Sequence, residues 1–200
     1  MRPGSADGHG GFRAVIVPGN GCASSIRECN WYGWISDKLT ASGLFSEVLL
    51  EVMPDPFTAK ESIWIPHLRD VLRADQRTVM IGHSSGAEAT MRFLETNKLF
   101  GAVLVSACHT DLGDENERAS GYYSRPWLWD TIKGNVDPAF GILQYHSTDD
   151  PLVPYAEGQH VALSLGSAFT TKADASHFFA AEDVEDVAAA IISQIRSCTK

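Results

Sequence analysis

The feature that most restricts how this chain can fold is a rhythm of short apolar runs separated by longer amphipathic stretches. The runs are "RAVIV" (13–17), "EVLLEV" (47–52), "TVMIG" (78–82), "AVLVS" (102–106), "FGILQY" (140–145) and "AFTTK" (168–172). Several are continuously hydrophobic, as parallel strands covered on both faces must be. Between them lie helical patterns, "WYGWISDKLTASG", "AKESIWIPHLRDVLRA", "SGAEATMRFLETN" and "YAEGQHVALSLG", with "AEDVEDVAAAIISQIRS" near the end. Strands alternating with helices predict an α/β fold of about six mostly parallel strands with helices on both faces. Ser42-Gly43 and Gly166 are helix stops. Pro66 predicts a kink or a fresh start within the second helical pattern.

The glycine-rich, polar residues 1–12 read as a flexible lead-in and 13–200 as one domain, long enough to bury a core without disulfides or a metal. One segment breaks the rhythm. Residues 108–135, "CHTDLGDENERASGYYSRPWLWDTIKGN", are too long and too polar for a plain crossover and begin at a strand's C-terminal end. Open α/β sheets bind ligands at that edge, so this insertion is expected to wall a site.

A net charge of −9 argues against nucleic acid or an anionic membrane as partner, because both need basic patches. No apolar run approaches the roughly 18 residues of a membrane span. The four cysteines form no CxxC pair, so free thiols are expected. With no signal-peptide pattern, a reducing, cytoplasmic setting is the expectation.

"MIGHSSGAEA" (80–89) places Ser84 at the centre of Gly82-x-Ser84-x-Gly86, between an apolar run and an alanine-rich helical pattern. Alone, the motif is weak, arising by chance in roughly 5% of chains this long at average glycine and serine usage. In this context it predicts a nucleophile elbow, whose tight strand-to-helix turn admits only small neighbours. Ser84 is then the nucleophile, and the Ser85 backbone N–H an oxyanion donor. His83 points away across the elbow and reads as a packing or hydrogen-bonding residue.

An elbow serine needs an acid and then a histidine further along the chain. "LQYHSTDDPLVP" offers Asp149 and Asp150. Asp150, one residue before the "PLVP" turn, is the preferred acid. "ADASHFF" then offers His177 as base. His9, His67, His109, His146 and His160 lie in the wrong order or the wrong kind of segment. The second oxyanion N–H is expected from "IVPGNGCAS", within Asn20, Gly21 and Cys22. That loop lacks the Gly-Lys-Ser/Thr ending of a phosphate loop. "DLGDENE" lacks calcium-loop spacing, and no zinc-like cluster exists, so no cofactor or metal is expected.

These residues, with "VIVPGNG", "WYGW", "MPDP", "ESIW", "IGHSSGA", "LVSA", "DLGDENERASGYYSRPW" and "STDDP", show that the chain resembles the retinoblastoma-binding protein 9 family of small serine hydrolases in the α/β-hydrolase superfamily. The resemblance spans about residues 13–195. It implies a compact hydrolase core without a large lid domain and the same Ser84, Asp150 and His177. It also implies activity on small esters or amides, including aminopeptidase-like cleavage of amino-acid derivatives. The family is named for a Leu-x-Cys-x-Glu segment; here that stretch reads Leu72-x-Ala74-x-Gln76, so a retinoblastoma-type partner is not expected. The competing expectation is a non-catalytic interaction module on a hydrolase scaffold.

Tryptophans are more often core than pocket. Even so, Trp31 and Trp34 follow the oxyanion loop and Trp127 lies in the insertion, which makes them candidates for an aromatic acyl pocket. Asp111, Asp114 and Glu115 could meet a substrate ammonium, although a solvated acidic loop is the simpler reading.

Overall fold

Each apolar run is a strand: β1 (Phe12–Val17), β2 (Phe45–Leu50), β3 (Thr78–His83), β4 (Leu99–Val105), β5 (Val136–Ser147) and β6 (Ala168–Lys172). In the computed structural model, which describes residues 11–199, they form one sheet in the order β2-β1-β3-β4-β5-β6. Every neighbouring pair is parallel. Residues 1–10 of the expected lead-in lie outside the described residues, and Phe12 already belongs to β1. The helices are α1 (Tyr32–Ala41), α2 (Glu61–Pro66), α3 (Ser85–Leu94), α4 (Glu115–Ser120), α5 (Trp129–Gly134), α6 (Tyr155–Leu165) and α7 (Glu185–Cys198). No described helix is long and apolar enough to cross a membrane.

Side chains alternate across a strand, so each central strand feeds two cores. Val15, Val17, Met80, Ala102 and Leu104 pack with α2, α3, α5 and α6 residues such as Trp64, Met91, Ile132 and Val161. Ala14, Ile16, Val79, Ile81, Val103 and Val105 pack on the other side with Ile35, Leu39, Val187 and Ile191 from α1 and α7. Burying a side chain such as Ile16 or Ile81 contributes about 1.5–3 kcal/mol. That is why these strands carry almost no polar residue.

The second helical pattern shows what Pro66 does. Proline lacks an N–H, and the helix ends there and widens into a π-type turn, His67–Val71, closed by Leu72 N–H to the His67 carbonyl at 3.0 Å. Gly43 and Gly166, at φ 67 and 63, end α1 and α6 in the left-handed region.

The expectation of four free thiols is corrected. Cys22 and Cys29 form a disulfide, whereas Cys108 and Cys198 are free. The turn at Ile26–Glu28 brings the two Cα atoms to 6.2 Å, a proximity that the spacing alone does not announce. Thiol usage therefore gives no support for a reducing compartment.

The insertion is held by a buried cation. Arg92 of α3 donates to the carbonyls of Tyr122, Arg125 and Pro126, pairs with Glu95, and lies 3.7 Å from the Trp127 ring centroid. Arg125 adds hydrogen bonds to Glu61 at 2.8 and 2.7 Å. Burial lowers the Arg92 pKa, opposed by the Glu95 charge, and every guanidinium nitrogen has an acceptor. The insertion is thus bolted to α3, the helix that follows directly on Ser84.

Candidate active site

The strand order reverses between β1 and β3, which opens a crevice at their C-terminal ends. Val17 pairs with Gly82 and His83 with Val105, so the β1 loop, the elbow and the end of β4 emerge side by side. The elbow is sharp. Ser84 sits at φ 54, ψ −126, a conformation costly for a residue with a Cβ, and its N–H bonds the Val105 carbonyl at 2.9 Å. A Cβ on Gly82 would collide with the Gly86 carbonyl, and one on Gly86 with the Val17 carbonyl. Glycine at both positions is therefore a packing requirement. Ser84 is the only position from 78 to 95 that is not buried, and Ser85 is 2% exposed. The turn presents one hydroxyl, that of Ser84.

Asp150 and His177, read from separate loops, are brought together. His177 Nδ1 lies 2.8 and 3.0 Å from the two Asp150 oxygens. A carboxylate only accepts, so Nδ1 carries the proton and the Nε2 lone pair is left open. Asp150 also accepts the Ser106 hydroxyl at 2.9 Å and the Leu152 and Val153 N–H groups at 2.9 Å each. Burial would raise the Asp150 pKa. The His177 contact and the two backbone donors outweigh it and hold the carboxyl below its ordinary value. Among the described residues no hydrogen bond joins Ser84 to the imidazole, and such bonds commonly tighten only with substrate in place. Asp149 accepts Ser147 Oγ at 2.5 Å and Ser176 N–H at 3.0 Å, which ties the β5 end to the His177 loop. It does not touch the imidazole.

The oxyanion donors narrow. Gly21 N–H is committed to the Pro56 carbonyl at 2.7 Å, which removes it as a donor and corrects that expectation. Gly19 N–H is taken by Tyr32 Oη at 2.9 Å. Asn20 lines the same cleft as Ser84, which keeps its N–H a candidate from that loop. Gly19 has no Cβ to spare, since one would lie 3.2 Å from Ser84 Cβ.

The cleft encloses about 430 Å³ and is lined by Ser84 and Asn20 with Glu88, Cys108, Glu117 and Leu152, among others. The insertion walls it, as its position predicts. The three candidate pocket tryptophans lie elsewhere, which corrects that expectation. Trp31 is fully buried and donates to the Phe178 carbonyl at 2.8 Å. Trp34 lies against Lys38 beside α7. Trp127 packs on Arg92 and donates to the His109 carbonyl at 2.9 Å. Aromatic spacing alone cannot separate a clamp from a pocket wall.

Several residues at the site carry no motif. Ser106, left-handed at φ 51 at the end of β4, holds the acid. Glu88, one helical turn after Ser84, is buried and accepts Cys108 N–H at 2.8 Å. Its lone carboxyl in an alanine-rich helix is a signal that could have found it. Glu117 accepts Tyr123 Oη at 3.1 Å and Asn20 Nδ2 at 3.4 Å, and burial, with Asp114 and Asp111 adding repulsion, raises its pKa. Asp111 pairs with Arg118, and Asp114 caps α4 through the N–H groups of Asn116 and Glu117. Burial pushes the Cys108 thiol well above its ordinary value. Among the described residues no group of three or more His, Cys, Asp or Glu side chains could hold a metal.

A family model described as "Serine hydrolase" matches residues 14–190. The serine hydrolase RBBP9 of Rattus norvegicus is 49% identical over 166 residues, covering 83% of this chain and 87% of that protein. Among solved structures, the ydeN gene product of Bacillus subtilis superposes with a TM-score of 0.76 at 23% identity, covering 91% of this chain and 99% of that one. The esterase RhEst1 from Rhodococcus sp. ECU1013 gives 0.65 at 16% identity, covering 94% and 91%. At such identities these two likenesses establish the fold, that of the α/β hydrolases.

Proposed function

Since this chain belongs to the serine hydrolase family, we propose that it cleaves small esters or amides through an acyl-enzyme on Ser84. The observation that carries this reading is the 2.8 Å contact between His177 Nδ1 and Asp150, beside an elbow that presents Ser84 alone. In the proposed cycle Ser84 Oγ attacks the substrate carbonyl while its proton passes to His177 Nε2. Asp150 fixes the tautomer and balances the imidazolium. The Ser85 and Asn20 N–H groups stabilise the oxyanion, and removing one such donor typically costs about 10²–10³ in kcat. The imidazolium then protonates the leaving group, and water, deprotonated by the same nitrogen, releases the acyl group.

Glu117 and Asp114 line the cleft, and this supports amino-acid esters and amides with a free amine as the substrate class. The test is hydrolysis of a panel of aminoacyl esters and amides, each with its N-acetylated counterpart, by wild type and Ser84→Ala. The expected result is turnover of the free-amine compounds that Ser84→Ala loses by several orders of magnitude. Turnover surviving in Ser84→Ala, or none anywhere in the panel, would contradict the proposal.

A further inference from the structure

The backbone that carries His177 is in an unusual conformation. Ser176 and Phe178, on either side of it, are both left-handed, at φ 49 and 53. For a residue as bulky as Phe178 this is an outlier that persists only where its surroundings over-determine it. Two buried side chains hold it there. Trp31 Nε1 donates to the Phe178 carbonyl at 2.8 Å, and His83 Nε2 lies 2.9 Å from the His177 carbonyl.

A carbonyl oxygen accepts only, so His83 Nε2 must carry the proton. His83 Nδ1 is then an acceptor, and Tyr32 Oη lies 2.6 Å from it. The same Tyr32 hydroxyl accepts the Gly19 N–H at 2.9 Å and Asn30 Nδ2 at 3.2 Å. A directed chain results, from Gly19 N–H to Tyr32 Oη–H, to His83 Nδ1, and from His83 Nε2–H to the His177 carbonyl. It joins the loop bearing Asn20 to the loop bearing His177, beneath Ser84. Every link is buried, so water cannot stand in for a missing partner.

We propose that His83 is a positioning residue: its Nε2–H fixes the His177 backbone, and its Nδ1, through Tyr32, fixes that backbone relative to the oxyanion loop. His83 touches no reacting atom and acts through His177. Burial, reinforced by the neighbouring His177, pushes the His83 pKa down to about 3, with the Asp150 charge opposing. The chain therefore keeps one protonation pattern across the working range of the enzyme.

The inference rests on the acyl-enzyme reading, and the test separates the two. A glutamine amide nitrogen can stand where His83 Nε2 stands, whereas an asparagine amide reaches only the Nδ1 position. His83→Gln keeps the donor to the His177 carbonyl but loses the acceptor for Tyr32, and is expected to lose no more than about fivefold in kcat. His83→Asn is expected to lose about 10–100-fold in kcat with little change in KM, as misplacement of a reacting group by about an ångström does. Equal kcat values for the two folded variants, or a folded His83→Gln as impaired as His83→Asn, would overturn it. If His83→Asn does not fold, a folded His83→Gln must still retain activity. Nitrogen NMR of the wild-type imidazoles decides independently of any variant or substrate. His83 must be the Nε2–H tautomer and must not titrate between pH 5 and 8, and an Nδ1–H or titrating ring overturns the role. Loss of turnover confined to the reading of Ser84 would leave that NMR result standing.

Discussion

Glu88→Gln should make the protein more stable, by an amount that grows with pH. Glu88 is 1% exposed on α3 and accepts Cys108 N–H at 2.8 Å. Burial, with repulsion from Glu117 added, raises its pKa well above 4.5 against the pull of the Cys108 N–H. In the unfolded chain the same carboxyl titrates near about 4.3. Between those two values the folded state holds a proton that the unfolded state has lost, so stability falls as pH rises. The slope is about 1.4 kcal/mol per pH unit. Glutamine keeps an oxygen for Cys108 N–H and has no proton to lose. Other titrating groups cancel in the comparison with wild type. The gap should therefore be small at pH 4.5 and widen above it, by at most about 1.4 kcal/mol per unit and only until the folded carboxyl ionises, or roughly 3–5 °C per unit in melting temperature for a chain of this size. Denaturant and thermal unfolding of both proteins at pH 4.5, 6 and 7.5 measure it. A gap that does not change with pH would refute the burial argument, and one that narrows would reverse its sign.

Asp150→Asn should lose most of the turnover, because only that change removes the carboxylate that orients His177, whereas Asp149→Asn should keep a substantial part; assays on both variants decide, and equal rates would contradict the choice. Reducing the Cys22–Cys29 disulfide should destabilise the protein by about 2.5 kcal/mol from the loop it closes, read as a lower melting temperature in reductant than without it. No change in melting temperature would remove the disulfide from the account. Binding to a retinoblastoma pocket domain should be undetectable by calorimetry at micromolar concentrations. Leu72 is 3% exposed and Ala74 and Gln76 replace the other two anchors, at about 1–3 kcal/mol each. A clear micromolar complex would revive the interaction-module reading.

The sequence carries the sheet almost strand for strand, because the buried parallel strands leave uninterrupted apolar runs, and "AFTTK" is β6 to the residue. Strand ends were harder: Leu99 and Phe100 of β4 and Val136–Ala139 of β5 lie beyond the runs that mark them. The elbow was legible because a tight turn forces glycine at 82 and 86, a constraint that leaves a visible pattern. The Asp150–His177 contact was legible through chain order and turn chemistry. What stayed hidden depends on tertiary contact alone. Nothing local in "WYGW" says that Trp31 clamps the Phe178 carbonyl, or that Tyr32 reaches Gly19 and His83. The commitment of Gly21 N–H to Pro56 is equally invisible, since it joins two loops distant in sequence. The disulfide escaped for the same reason, as seven residues of separation say nothing until the turn between them is formed.

The central claim is that this fold presents a single activated nucleophile at residue 84. The most direct measurement is labelling with a serine-reactive fluorophosphonate, followed by peptide mapping of the adduct in wild type, Ser84→Ala and Ser85→Ala. The account predicts one adduct on Ser84 in the wild type, none in Ser84→Ala, and substantial labelling of Ser84 in Ser85→Ala, where the backbone N–H persists. An adduct on Ser85, or undiminished labelling of Ser84→Ala, would contradict it.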